Sequence, residues 1–435
     1  MLQTLRNAWK IDDIRKKLLF MAFIVLIYRL GNAVTVPYVD TAALTLHFQA
    51  FSGTVLGFLN TMSGSALERA SIFALSIQPY INASIIMQLL TIAIPALERL
   101  RKEGGEEGKK KIEKITRYST VGIAALQGFA YYTLISRGDP QMGGSMLVPG
   151  AEGILPALTI IATFMVGSAL LMWMGEQITE FGIGNGISII LFVSIVARFP
   201  IELWQMVNGV IAVPSTWWIY ALILLGALAI VVLIVIVQNS ERRIPVQYSK
   251  RVVGRKMYGG QSTHLPMKVN MSGVLPVIFA QSIAMMPATI VIFVPAWSEG
   301  WLMENVFAPT SIPYIVFYFF LIVFFSYFYS TVQFNPVEIA NNLKKNGGFI
   351  PGFRAGKPTS DFIQKVLTKI TLFGALYLAI VAITPIIVSA FSVTARNAGI
   401  AMGGTSIIIV ISVALETIKQ LESQMLMRHY KGFLE

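Results

Sequence analysis

The chain has no cysteine and only three histidines, His47, His264 and His429, in 435 residues. Disulfides and thiolate metal sites are therefore excluded, and a histidine-built metal centre lacks its ligands. Charged residues make up 13% of the chain, against about 25% in ordinary soluble domains. With 55% hydrophobic residues, the chain has too little polar surface to face water all round, so its exterior faces lipid. Catalytic motifs are missing as well: there is no His-Glu-x-x-His, no Gly-x-Ser-x-Gly and no span with two apposed carboxylates. In the stretch from Gly352 to Lys357 the glycines are too close for a phosphate loop, and Pro358 stands where Ser or Thr should follow. GIGNGIS at 182–188 follows no strand and reads as a turn that starts a helix. Neither an enzyme nor a cofactor nor a metal site is expected.

What the chain has in abundance is long apolar runs. Ten of them cover residues 17–36, 76–96, 117–136, 154–175, 186–207, 217–238, 270–295, 311–333, 370–390 and 404–426. A bilayer takes about 20 helical residues at 1.5 Å rise, so each run is a candidate span. Lysine and arginine fall almost wholly into alternate gaps: five up to Lys17, eight in 97–117, seven in 239–269, six in 334–369 and three after Thr417. The other side holds single arginines at 69, 137, 198 and 396. By the positive-inside rule both termini and the long basic loops are cytoplasmic; the loop 176–185, which has no basic residue, is placed by parity alone.

The leading segment sets Leu2, Leu5, Trp9 and Ile14 at helical spacing, as an interfacial helix does, with no short apolar core before a cleavage site. Residues 37–75 lie outside by charge, yet their end runs without a break into the second span. This predicts a short helix around Gly64, Glu68 and Arg69 folded back into the membrane, and a bend at Pro79. Non-helical backbone at such depth needs protein or a water-filled cavity beside it. The loop 239–269 alternates basic with apolar or aromatic residues, as a β-ribbon does, and Gly347, Gly348, Pro351, Gly352, Gly356 and Pro358 hold an exposed tip in 334–369. Loops of this length are usually functional. Few ionisable residues lie within the spans: Arg29 either snorkels outward or packs between helices, and Glu416 with Lys419 are placed to pair as i, i+3 neighbours.

Particular strings then carry a resemblance: RASIFALSIQPYINASIIMQLL at 69–90, GEQITEFGIGNGISIILF at 175–192, QSTHLPMKVNMSGVLPVIFAQSI at 261–283, FNPVEIANNLKKNGGFIPG at 334–352 and GGTSIIIV at 403–410. Together they resemble the bacterial SecY family, central subunits of the protein-conducting channel, over nearly the whole chain. The resemblance implies an all-α membrane protein of ten transmembrane helices in two pseudo-symmetric five-helix halves, a clamshell of residues 1–207 and 208–435, with a re-entrant plug helix at about 60–72 that includes Met62, Ser63, Gly64 and Leu67. Matched motif by motif, it places a pore ring on Ile77, Ile81, Ile187, Leu191, Ile278 and Ile409, where many relatives have isoleucine at the position of Leu191. A lateral gate falls on Asn82 and Met286, with Gln88 and Asn270 as further polar contacts. Docking of a motor or ribosome falls on Arg255, Lys256 and Arg354.

A ring of aliphatic side chains suits such a task, since it stops ions by dewetting and deforms around an unfolded chain. The function implied is a gated passive channel that moves unfolded polypeptides across the bacterial cytoplasmic membrane or sideways into it. SecA ATPase or the translating ribosome would drive it, and SecE-like and SecG-like small membrane subunits would brace it. Signal sequences and preproteins would be its substrates and the lipid bilayer its surroundings. A ten-span secondary transporter is the rival reading, and it calls for several buried carboxylates.

Overall fold

A computed structural model describes residues 2–50, 60, 62–137, 144–248, 251–253, 256–258, 262–271, 273–287, 301, 305–308, 311–391 and 403–431. Each of the ten apolar runs overlaps a helix, the seventh over Leu275–Ala284 among its described residues. In chain order the spans are Asp12–Gly31, Gln78–Ala93, Gly105–Arg137, Ile154–Phe181, Gly186–Val196 continued by Phe199–Ala212, Trp217–Asn239, Leu275–Ala284, Ile312–Gln333, Lys357–Phe391 and Gly403–Lys431. Among the described residues six are long and apolar enough by themselves to cross a bilayer, and a seventh is added if the second and Pro95–Arg101, which meet at a 103° bend, count as one span. The chain is a multi-pass helical membrane protein.

Local chemistry sets where the spans begin. The Asn185 side chain caps the fifth span, accepting from the backbone N–H of Ile187 at 3.1 Å and of Ser188 at 3.2 Å. Ser311 caps the eighth through Tyr314 N at 3.3 Å. Such caps contribute about 1 kcal/mol each and hold the first turn in register. The bend expected at Pro79 is found elsewhere. Pro79 sits in the first turn of its helix, where its missing N–H costs nothing. The chain breaks instead at Ile94, which Pro95 drives out of the helical region to φ −106°, ψ 112°.

The second span packs on the third, the third on the fourth and the fourth on the fifth, while the seventh packs on the eighth, the eighth on the ninth and the ninth on the tenth. The two series meet where the fifth span touches the tenth and where the second touches the seventh. The leading helix Leu2–Trp9 lies against the tenth span, with Ala8, Ile14, Ile183 and Leu421 buried together, as an interfacial helix with one apolar face would.

The basic loops form a small platform. Strand β1 (Glu241–Tyr248) pairs antiparallel with β4 (Ser262–Lys268), and β2 (Arg251–Val253) pairs with β3 (Lys256–Tyr258), so the ribbon expected of 239–269 is present. The second loop adds a two-residue strand, β5 (Gly348–Phe349), to the free edge of β1. Ile244, Val246 and Met267 of the ribbon bury against Ile350, Ile363 and Leu367 of the second loop and the ninth span. The two loops are therefore one packed unit standing on the ninth span.

Candidate pore and gate

Five of the six ring residues, Ile77, Ile81, Leu191, Ile278 and Ile409, are buried within a single hydrophobic cluster, and Ile187 packs against it half-buried. They come from the end of the outer segment and from the second, fifth, seventh and tenth spans. On the side of the basic loops a cavity of about 410 Å³ opens above them. Its lining mixes polar residues, among them Asn185, Ser188, Gln238, Asn270, Ser412 and Lys419, with apolar ones that include Leu191, Ile278 and Ile409. On the far side the same Ile278 and Ile409 face Met62 across a space of about 10 Å³. That is too little for more than one water. A vestibule with polar residues in its lining thus ends on an uncharged partition, where Ile278, Ile409 and Met62 stand beside Gln78, Gln281, Ser282 and Thr405, and an ion leaving the vestibule would lose most of its hydration; the idealised cost of moving an ion into a fully apolar medium is about 20 kcal/mol.

The outer segment closes the far side. Residues 60 and 62 are helical, and from Ser63 to Ile77 the backbone runs as bends and turns, with positive φ at Gly64, Ser65, Ala70 and Ser76. Short polar side chains compete with a helix here: Ser63 Oγ donates to the Asn60 carbonyl at 2.9 Å, and Asn60 Oδ1 accepts from Glu68 N at 3.0 Å. Met62, Ser63 and Leu67 are buried. Gln78 Nε2 lies 3.1 Å from Met62 Sδ. The Tyr131 hydroxyl of the third span donates to the Leu67 carbonyl. Antiparallel bonds Val36 N to Ala70 O at 2.9 Å and Ile72 N to Val34 O at 3.0 Å tie the segment to the chain following the first span. Gly167 of the fourth span lets it approach closely, because a Cβ there would stand 1.8 Å from the Ile72 carbonyl oxygen. Arg29 remains exposed while its guanidinium reaches the neighbourhood of Gly64, so it packs beside this segment.

The gate residues are more dispersed than the ring. Asn82 is half-buried on the second span, and Met286, just past the end of Leu275–Ala284, is 56% exposed. Gln88 donates to Ser84 Oγ at 3.3 Å, and the Tyr329 hydroxyl of the eighth span faces its amide. Asn270 turns to the vestibule: Nδ2 donates to the Gly273 carbonyl at 3.0 Å, and Oδ1 is buried without a hydrogen bond. Among the described residues Glu416 and Lys419 pair neither with each other nor with another charge; both line the vestibule. Sequence reasoning missed two buried contacts, Tyr28 with Ser194 at 2.6 Å and Tyr318 with Gln281 Oε1 at 2.7 Å. A tyrosine in the middle of an apolar run was the available signal.

Among the docking residues, Arg255 lies outside the described residues, and Lys256 begins β3. Arg354 is exposed at a loop tip whose backbone is fixed by Thr359 Oγ1 donating to its carbonyl at 2.8 Å and by the Phe353 and Phe362 rings, 4.2 Å apart.

Fold and site together define a multi-pass helical bundle closed at its middle by an uncharged partition and a tucked-in outer segment. The SecY family model matches residues 71–418, and the chain belongs to the SecY family. It is 45% identical over 447 positions to the protein translocase subunit SecY of Streptomyces scabiei, with 100% of each chain covered. To that of Corynebacterium glutamicum it is 42% identical, with 99% of each covered. Among solved structures, one of a protein conducting channel superposes with a TM-score of 0.65 at 18% identity, over 94% of this chain and 92% of the other. Sec61 in a canine ribosome-channel complex gives 0.62 at 16% identity with the same coverage. These two likenesses are of fold.

Proposed function

We propose that the chain is the gated, passive channel through which unfolded polypeptides cross the bacterial cytoplasmic membrane or enter it sideways. The observation that carries this reading is the partition itself: Ile278 and Ile409 face the vestibule on one side and Met62 on the other. A transporter built on proton or ion exchange needs ionisable partners at that depth, and this partition is uncharged.

In this reading both termini and the basic loops are cytoplasmic, the six aliphatic residues form the ring, and the segment around Met62 to Leu67 is the plug. The halves 1–207 and 208–435 part between the second and seventh spans, at Asn82 and Met286, for an apolar signal sequence. Gln88 and Asn270 add polar character near that seam, and interhelical polar contacts in membranes are worth only about 0.6–2 kcal/mol, weak enough to open. Movement is powered from outside. SecA or a translating ribosome docks on the platform through Arg255, Lys256 and Arg354, cations suited to phosphates or an acidic surface. SecE-like and SecG-like subunits brace the bundle.

Reconstitution into vesicles with companion subunits and SecA tests the assignment. A secretory precursor with a signal sequence is expected to become protected from added protease in an ATP-dependent way. Vesicles that protect no precursor, while SecA still binds them, would refute a conducting role.

A further inference from the structure

We propose that Tyr28 is a positioning residue that latches the plug by one of its backbone carbonyls and releases it in step with movement of the fifth span. The proposal rests on the plug reading of residues 60–72. Tyr28, in the first span, is fully buried. Its hydroxyl lies 2.6 Å from Ser194 Oγ on the fifth span and 3.4 Å from the Ser63 carbonyl in the plug. Ser194 Oγ also reaches the Ile190 carbonyl at 2.8 Å. The plug comes this close because Gly64 follows Ser63: at φ +67° it carries no Cβ, and one would stand 3.0 Å from the Ser194 carbonyl oxygen.

The proton count makes this a switch. Each hydroxyl has a single proton. If Ser194 donates to Ile190, Tyr28 satisfies Ser194 and holds Ser63 only by a long secondary contact. If Ser194 donates to Tyr28, the tyrosine proton is free for the Ser63 carbonyl and the plug is gripped. Ser194 follows Leu191 by three residues on one helix. A tilt of the fifth span that widens the ring therefore carries Ser194 with it and changes the arrangement around Tyr28. Ring and plug are linked through a pair of hydroxyls.

The two partners then predict effects of opposite sign. In Tyr28→Phe the carbonyl loses its donor, and ion leak through the resting channel in vesicles, reconstituted with companion subunits, is expected to rise about threefold or more. In Ser194→Ala the tyrosine proton is left to the Ser63 carbonyl and to the buried Asn32 side chain beside it, and leak is expected at or below the unsubstituted level. A packing role would make both variants leak, and that result overturns the latch, as does Ser194→Ala leaking more than the parent chain. A third channel lacking residues 60–66 reads the plug separately. If it does not leak, the plug reading fails; if it leaks while a folded Tyr28→Phe channel does not, the latch alone fails.

Discussion

Replacing Ile81, Ile187 and Ile278 together by glycine is expected to raise the resting ion conductance of the reconstituted channel at least about tenfold, which corresponds to roughly 1.4 kcal/mol off the barrier. The present space beneath Ile278 and Ile409, about 10 Å³, has no room for a water column. Loss of three side chains from three different helices leaves space at the one depth where the vestibule and the outer side come closest. Once water is continuous, the cost of stripping an ion falls away, and that cost is the whole of the resistance in an uncharged ring. Buried aliphatic truncations lower stability by about 2–5 kcal/mol each, so the comparison needs a folded protein, checked by gel filtration. Leucine at the same three positions is the control, because it conserves apolar volume and should leave conductance low. Unchanged conductance in a folded glycine variant would show that these side chains are ordinary core.

Arg354→Glu is expected to reduce SecA-driven transport about tenfold or more while leaving the melting temperature within about a degree or two of the parent. The two expectations come from different atoms of one residue. The backbone of Arg354 is held by Thr359 and flanked by the packed rings of Phe353 and Phe362, tilted 30° to one another, and none of this changes on substitution. Its side chain is exposed beside the sheet of β1, β4 and β5, so its charge can be reversed at no folding cost. Reversing the charge turns an attraction for an acidic surface into repulsion at the same spot, and rim charges act mainly on association. Transport assayed at several SecA concentrations checks this: a docking residue shifts the concentration required, whereas undiminished transport at all concentrations removes Arg354 from the interface.

The sequence made some of this legible and hid the rest for physical reasons. Span positions and the ribbon in 239–269 could be read because lipid and strand pairing impose local rules on neighbouring residues. The ring could not be read from periodicity, since Ile81, assigned to it, and Ile85, which is not, are both buried aliphatics of one cluster on one helix. Only the likeness of motifs separated them. The turns of the outer segment were read as helix because its composition allows one. Beside the local bonds of Asn60 and Ser63, what holds its bent course lies far away in the chain, in the Tyr131 hydroxyl 64 residues on and in the close passage allowed by Gly167. The pairing of β5 with β1 joins Gln247 to Phe349 through just two residues, too short a signal for any pattern. Pro79 illustrates a rule applied at the wrong position: a proline breaks a helix interior but starts a helix without cost, and the break fell to Pro95.

Because the natural chain has no cysteine, single cysteines can be introduced without background. The most direct test places one at Ile81, Leu191, Ile278 or Ile409, or at Leu225, which is 71% exposed on the sixth span. A secretory precursor carrying a single cysteine is then stalled midway, and disulfide formation is scored. Passage through the collar predicts bonds from all four ring positions and none from Leu225. Bonds absent from the ring, or formed equally at Leu225, would contradict the path.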